Sequence, residues 1–443
     1  MKSAAFAAQR HMREHLRSAL RRGLVGVLDV GTAKTACFIL RVDPARLAAA
    51  GAEDGRLGGF GAMRVVGAGV TQSRGVRLGE IVDMEEAGRA IRTALQTAEK
   101  MAGVRVDQVI GVLPGARPVS FGASADVDVE SGEVTEADVA RALAACPEPP
   151  LEEGREILHA LPVNFTVDGQ SFLNDPRGMN GRRLSVDMHV LSVASGPLRN
   201  LARCVRRCDL ELAGVVCAPY AAGLSSLVED EQELGAACVD MGAGVTSVSI
   251  FLRKQLIYAD AARVGGAHVT RDVSEAFSIP FQQAERIKTL HGGAVATGMD
   301  DRELIAAPRL GAAEDERRIS RSALIGVIRP RLEEILEEVR ASLDRAGFEA
   351  LPSRRVVLTG GGSQVPGLEE VARRILGQRV RAGRPLRIGG LPQSASGPAF
   401  SAIVGLAAYA VRPQDEFWDF EAPSALDGAT RLRRAVRWFR DNW

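Results

Sequence analysis

Apolar residues come in short, largely β-branched runs punctuated by glycine. Residues 24–28 (Leu-Val-Gly-Val-Leu) lead into Asp29-Val-Gly-Thr-Ala-Lys34, and a second apolar run occupies 35–40. The cadence returns in the second half: residues 236–239, then Asp240-Met-Gly-Ala-Gly-Val-Thr246, then 247–251. Runs of this length bounded by glycine predict buried strands joined by tight turns. Further strands are expected at 63–70, 108–113, 157–167, 184–193, 210–216 and 355–359. Helical spacing predicts helices over 85–102, 197–208, 267–277, 282–290, 321–346 and 399–411; in the first, Ala87, Ile91, Ala94, Leu95 and Ala98 share a face. Strands alternating with helices predict an α/β protein with mixed sheets, and the repeated hairpin predicts a duplicated core.

The glycine turns carry the chemistry. Backbone N–H groups of a tight glycine hairpin can close on a phosphate because no Cβ holds the anion away. An aspartate at each strand end would be repelled by phosphate but can order the water shell of a bridging Mg²⁺. A third cluster, Leu358-Thr-Gly-Gly-Gly-Ser-Gln-Val-Pro-Gly367, again lies between a strand and a helix. Its bare backbone suits a nucleoside, and the helix N-terminus adds partial positive charge. Each loop alone also reads as a plain turn; the ordered set of three makes the nucleotide reading. No G-x-x-x-x-G-K-[ST] run occurs, which disfavours a P-loop ATPase.

Composition narrows the classes. The 443 residues carry 56 Lys and Arg against 55 Asp and Glu, a net charge of +1, so no global basic field argues for nucleic acid. The six cysteines show no C-x-x-C; free thiols in a reducing compartment fit them, and the Cys204/Cys208 pair alone makes no zinc site. No run reaches the roughly 18 apolar residues of a spanning helix. Residues 1–22 are Arg-rich with a single acid, Glu14, and read as a flexible or weakly amphipathic extension, or alternatively as an organelle presequence.

Beyond residue 411 the character changes to an acidic Pro/Gly/Ser-containing linker and then a basic end. There Leu432, Val436, Phe439 and Trp443 fall at i, i+4, i+7 and i+11. At about 100° per residue they form one stripe, with Arg433, Arg434, Arg437 and Arg440 opposite and Trp438 on the flank. That pattern suits the interface of an anionic bilayer. The alternative is a terminal helix docked on its own domain, which a preceding linker disfavours.

The order of the three glycine loops resembles the actin/Hsp70/sugar-kinase superfamily and, within it, the FtsA family of bacterial cell-division proteins. The likeness covers about 24–411 and includes Gly75-Val-Arg-Leu-Gly-Glu-Ile-Val-Asp83, Leu161-Pro-Val-Asn-Phe-Thr-Val167, Glu229-Asp-Glu-Gln-Glu-Leu-Gly235 and Ala284-Glu-Arg-Ile-Lys-Thr-Leu-His-Gly292. It implies a two-lobed actin-like ATPase fold with an inserted subdomain in the first lobe. The expected divisions are a basic extension (1–23), subdomain 1A (24–84, 161–200 and 385–411), inserted subdomain 1C (85–160), subdomain 2A (201–264 and 331–384) and subdomain 2B (265–330). A flexible acidic linker (412–430) and an amphipathic membrane-targeting helix (431–443) would follow.

The resemblance implies that Gly31, Thr32 and Lys34 meet phosphates of ATP, with Asp29 and Asp240 on Mg²⁺ through water. Gly242, Ala243, Gly244 and Thr246 would act likewise from the second lobe, and Gly265 and Gly266 would approach the nucleotide. Glu285 and Lys288 would face ribose and adenine, and Gly361, Gly362 and Ser363 would form the adenosine loop. Implied partners are the FtsZ C-terminal tail, received by 2B with Arg317, Arg318 and Arg321 as candidates, further copies in a polymer, inner-membrane lipids and later division proteins. Hsp70-like members carry Glu-Pro where this chain has Ala218-Pro219, so the carboxylate that orients attacking water is missing and only slow hydrolysis is expected. A small-molecule kinase or a pilus-assembly homologue of the same superfamily are the rival readings.

Overall fold

A computed structural model describes residues 2–49, 59–309, 312–377 and 379–420. Leu24–Val30 pairs antiparallel with Lys34–Val42, which pairs antiparallel with Met63–Gln72. On the other side Gln108–Leu113 runs parallel to Leu24–Val30, and Glu211–Cys217 lies parallel beyond it. The second sheet repeats this plan strand for strand. Ala236–Met241, Thr246–Leu252 and Gln255–Ala262 form the antiparallel meander, and Arg355–Thr359 and Arg379–Ala382 the two parallel additions. Two lobes of one topology follow, each with its own core. Helices Ala218–Ser226 and Ser401–Val411 cross between them so tightly that a Cβ on Gly405 would fall on the Ala221 backbone.

The inserted unit is a four-stranded antiparallel sheet ordered Val119–Asp128, Arg183–Ala194, Arg155–Val167, Gln170–Leu173. Helix Glu136–Ala145 covers it, capped by a reciprocal Thr135/Asp138 box. This corrects the expected insertion at both ends, residues 85 and 160, because strands running on to Ala194 and expected in subdomain 1A belong to the inserted sheet. Helix Met84–Ala102 packs on Lys34–Val42 and Met63–Gln72, and Gln108–Leu113 is an interior strand of the first sheet, buried at every position. A strand buried on both faces shows no alternation, so its membership could not be read from periodicity. Glu211–Cys217, expected in subdomain 2A, pairs parallel with Gln108–Leu113 at the edge of the same sheet and so belongs to the first lobe.

Both expected appendages are partly structured. Residues 2–22 form one helix, Lys2–Arg22, with Arg13, Leu16 and Ala19 buried against the first lobe. Residues 412–420, expected as flexible linker, run along the body with Glu416 and Trp418 buried. The rest of the linker and the 431–443 segment, with its membrane residues, lie outside the described residues. No helix among the described residues is long and apolar enough to cross a membrane.

Candidate functional site

The two glycine hairpins are equivalent atom for atom in their closure. Gly31 N–H donates to Lys34 O at 3.0 Å, and Gly242 N–H donates to Val245 O at 2.9 Å. Their leading aspartates sit at the same register, Asp29 opposite Ala36 and Asp240 opposite Ser247. The lobes bring these carboxylates close enough to influence each other. Burial pushes the Asp240 pKa up to about 6, Lys34 opposes the shift, and the charge on Asp29 adds to it. Asp29 is also raised by burial and partly rescued by Lys34. The Lys34 ammonium thus serves both acids; it donates to Ala399 O and stands 4.8 Å from the Phe400 ring centre.

The other expected loops converge on the second hairpin. A Cβ on Gly265 would lie 2.5 Å from Gly242 O, so only glycine allows this approach. Gly266 and Ala267 donate their N–H groups to Gly242 O and Ala243 O, at 2.9 and 2.8 Å. These two donors hold the second hairpin in place against the start of the following helix. Thr246 is fully buried and donates to Val264 O at 2.8 Å, again a support for this segment. Lys288 Nζ donates to Gly266 O (3.0 Å), Thr270 Oγ1 (2.7 Å) and Glu285 Oε2 (2.7 Å), which fixes Glu285 at the rim.

The third glycine loop folds as a short 3₁₀ turn, Gly361–Gln364, closed by Ser363 Oγ on Gly360 O. It lies against Met241 and the Ala399 side chain, with Gly362 Cα 3.6 Å from a Cβ placed on Gly266. Gly360, absent from the expected set, is its tightest member. Its φ is +87°, and a Cβ there would collide with Asp240 and stand 2.5 Å from Met241 O. The strand-then-triple-glycine pattern already marked the loop, but only the register decides which glycine faces the acid.

The FtsZ candidates are not gathered in the same way. Arg318 is exposed on Ala312–Ser320, and Arg317 pairs through its backbone with Ala307. Arg321 is committed within the fold, bonding His291 O at 3.0 Å and Asp300.

Among the described residues no group of three or more His, Cys, Asp or Glu converges as a metal cage. Two buried carboxylates at matched strand ends with a lysine opposing their burial, rimmed by bare backbone, instead fit a hydrated cation carried on phosphates.

Two matched lobes closed over such a cleft define an actin-like fold. The PilM–PilN type IV pilus biogenesis complex shares it with a TM-score of 0.59 at 16% identity, over 88% of this chain and 99% of that one. MreB5 of Spiroplasma citri bound to ADP shares it with a TM-score of 0.52 at 14% identity, over 87% and 95%. The sequence is far closer to other proteins. A cell division protein FtsA from Rhizobium meliloti is 40% identical over 433 residues, 96% of both chains. One from Pseudomonas aeruginosa is 32% identical over 421 residues, 94% of this chain and 97% of its own. The family model for cell division protein FtsA matches residues 237–405, and the model for the SHS2 domain inserted in FTSA matches 115–192, the four-stranded sheet above. The chain belongs to the FtsA family of cell-division proteins.

Proposed function

We propose that this chain is an ATP- and Mg²⁺-binding scaffold that polymerises at the inner face of the cell membrane. There it anchors FtsZ filaments and recruits later septum-forming proteins. The observation that carries this reading is the apposition of two equivalent glycine hairpins, Gly244 of one against Thr32 of the other, each led by a buried aspartate at the same register, with Lys34 opposing the burial of both acids. Burying two acids together is unfavourable unless a cation joins them, and a nucleotide–Mg²⁺ complex supplies one. Nucleotide then acts as a conformational ligand that favours the closed, polymerising state. Hydrolysis is slow because Ala218, at the start of helix Ala218–Ser226, brings no carboxylate to orient water. Turnover approaching the ~10 per second of a typical enzyme would overturn that part.

Attachment rests on the arginine-backed stripe of 432–443. A single short helix of this type binds reversibly, and polymerisation supplies the copies that make attachment lasting. Flotation with anionic vesicles, with and without ATP, tests the anchor on the full chain and on a truncation after Phe420. Cutting there spares the buried Glu416, which a cut after Val411 would remove. The full chain should float and carry FtsZ filaments with it, and the truncated chain should do neither. Equal flotation of both would remove the anchor.

A further inference from the structure

A short hairpin spans the two lobes at the mouth of the cleft. Val76–Arg77 pairs with Glu80–Ile81 around a Leu78-Gly79 turn, and both turn residues have positive φ, 50° and 73°. This is the two-residue hairpin turn that glycine and asparagine favour, so a leucine at its first position is held in a strained conformation. The surroundings account for its retention. Gly79 N–H donates to Thr32 Oγ1 at 2.9 Å, which leaves the threonine's own proton free to donate elsewhere. A Cβ on Gly244 would stand 2.9 Å from Leu78 Cα and 2.6 Å from Thr32 Oγ1, so the second lobe's hairpin meets the turn through bare backbone. Behind the turn, a Cβ on Gly79 would lie 2.9 Å from Gly115 N, so the first lobe backs it rigidly. Beside it, Glu80 Oε1 lies 2.8 Å from Nη1 of Arg263, a second-lobe residue just before Gly265.

We propose that this hairpin is a clasp between the lobes, fastened by Glu80 and Arg263, and that it sets the rate at which nucleotide leaves the cleft. The proposal rests on the nucleotide reading above. Release requires the lobes to part. Parting breaks the Glu80–Arg263 pair and the Gly244–Leu78 contact, while every contact inside either lobe survives. The clasp therefore acts on dissociation more than on association. The Arg263 and Glu80 side chains are 40% and 23% exposed, and an ion pair of that exposure supports a change of about two- to fivefold.

The test uses the full chain and a fluorescent N-methylanthraniloyl ATP with Mg²⁺, chased with unlabelled ATP in a stopped-flow instrument. Glu80→Gln and Arg263→Gln should each release the probe about two- to fivefold faster, with association rates unchanged. The charge-swapped double variant, Glu80→Arg with Arg263→Glu, should recover most of the loss. Unaltered release in both single variants would overturn the clasp while leaving the nucleotide site intact. A swap no better than the worse single variant would overturn the ionic fastening. Failure of the unaltered chain to bind the probe at equilibrium would overturn the nucleotide reading, and the clasp with it.

Discussion

Arg13 donates from Nε to Asp419 Oδ2 at 3.1 Å, joining two side chains 406 positions apart. The same guanidinium bonds Gln414 O at 2.6 Å and lies 3.6 Å from Glu416. Arg17 adds a second contact to Asp419 at 3.0 Å, and the Phe6 ring packs 5.2 Å from Phe417 and 6.0 Å from Trp418. Glu416 is the centre of the arrangement. It accepts from Ala160 N–H (3.0 Å) and Tyr409 OH (2.9 Å) and lies 3.2 Å from His159 Nδ1. The N-terminal helix therefore pins residues 414–420 to the first lobe and its inserted sheet.

Removing one member of a buried charged set leaves the others unpaired, which costs about 3–5 kcal/mol. Glu416→Ala should destabilise the chain by that order, and Glu416→Gln, which keeps the shape, by less. Urea midpoints measure the loss, and amide exchange should show residues 412–420 opening first. Arg13→Met also strips Asp419 and Gln414 of their partner and should destabilise the chain by itself, and its loss combined with Glu416→Gln should be less than additive because Arg13 and Glu416 are partners. A double variant less stable than the sum of the singles would contradict the pairing.

Acidity tests the same centre independently. Burial favours the neutral form of Glu416, but His159, Arg13 and the Ala160 amide outweigh it and hold its pKa below the ordinary 4.5. A depressed acid contributes stability above its unfolded pKa and loses it as pH falls through the folded one. The full chain should therefore weaken below about pH 4.5 through this group, and Glu416→Gln should flatten that limb of the stability profile.

The two hairpins and the triple glycine were legible because a tight turn next to a buried strand leaves a local mark in the sequence. The topology was not. Gln108–Leu113 is as apolar as any strand of the inserted sheet, and only its parallel register with Leu24–Val30 assigns it to the first lobe. The pinning of 414–420 was hidden for another reason. Glu416 and Asp419 read as solvated linker acids until helix Lys2–Arg22 brings Arg13 and Arg17 to them. Long-range pairing of charges leaves no periodic trace.

Glycine positions around Asp240 should separate sharply. Gly360 has φ +87°, and its missing Cβ makes room for the Asp240 carboxylate. Gly361 is exposed, with Ala399 Cβ 3.6 Å from its Cβ position. Gly360→Ala should cost about 1–3 kcal/mol and abolish Mg²⁺–nucleotide binding. Gly361→Ala should stay within ~0.5 kcal/mol of the unaltered chain. Thermal melts and equilibrium titration with labelled ATP distinguish them, and equal effects would mean that the loop is placed differently.

The pKa of Asp240, raised from 3.8 to about 6, has opposite consequences for the empty and the loaded protein. An acid whose folded pKa is raised binds more protons folded than unfolded, so the nucleotide-free chain loses stability as pH rises from about 4 to about 6. Asp240→Asn removes that penalty and should stabilise the empty chain at pH 7 by on the order of 1–3 kcal/mol. Cation binding runs the other way, since Mg²⁺ needs the ionised form. Nucleotide affinity in Mg²⁺ should rise with pH through about 6 and vanish in Asp240→Asn. Lys34→Met supplies the decisive comparison. Without the ammonium that opposes burial at both acids, the midpoint of the affinity profile should move above 6, and affinity at pH 6.5 should fall about tenfold or more. A midpoint unchanged in Lys34→Met would show that the lysine does not serve the aspartates, and that the two hairpins do not share one charge centre.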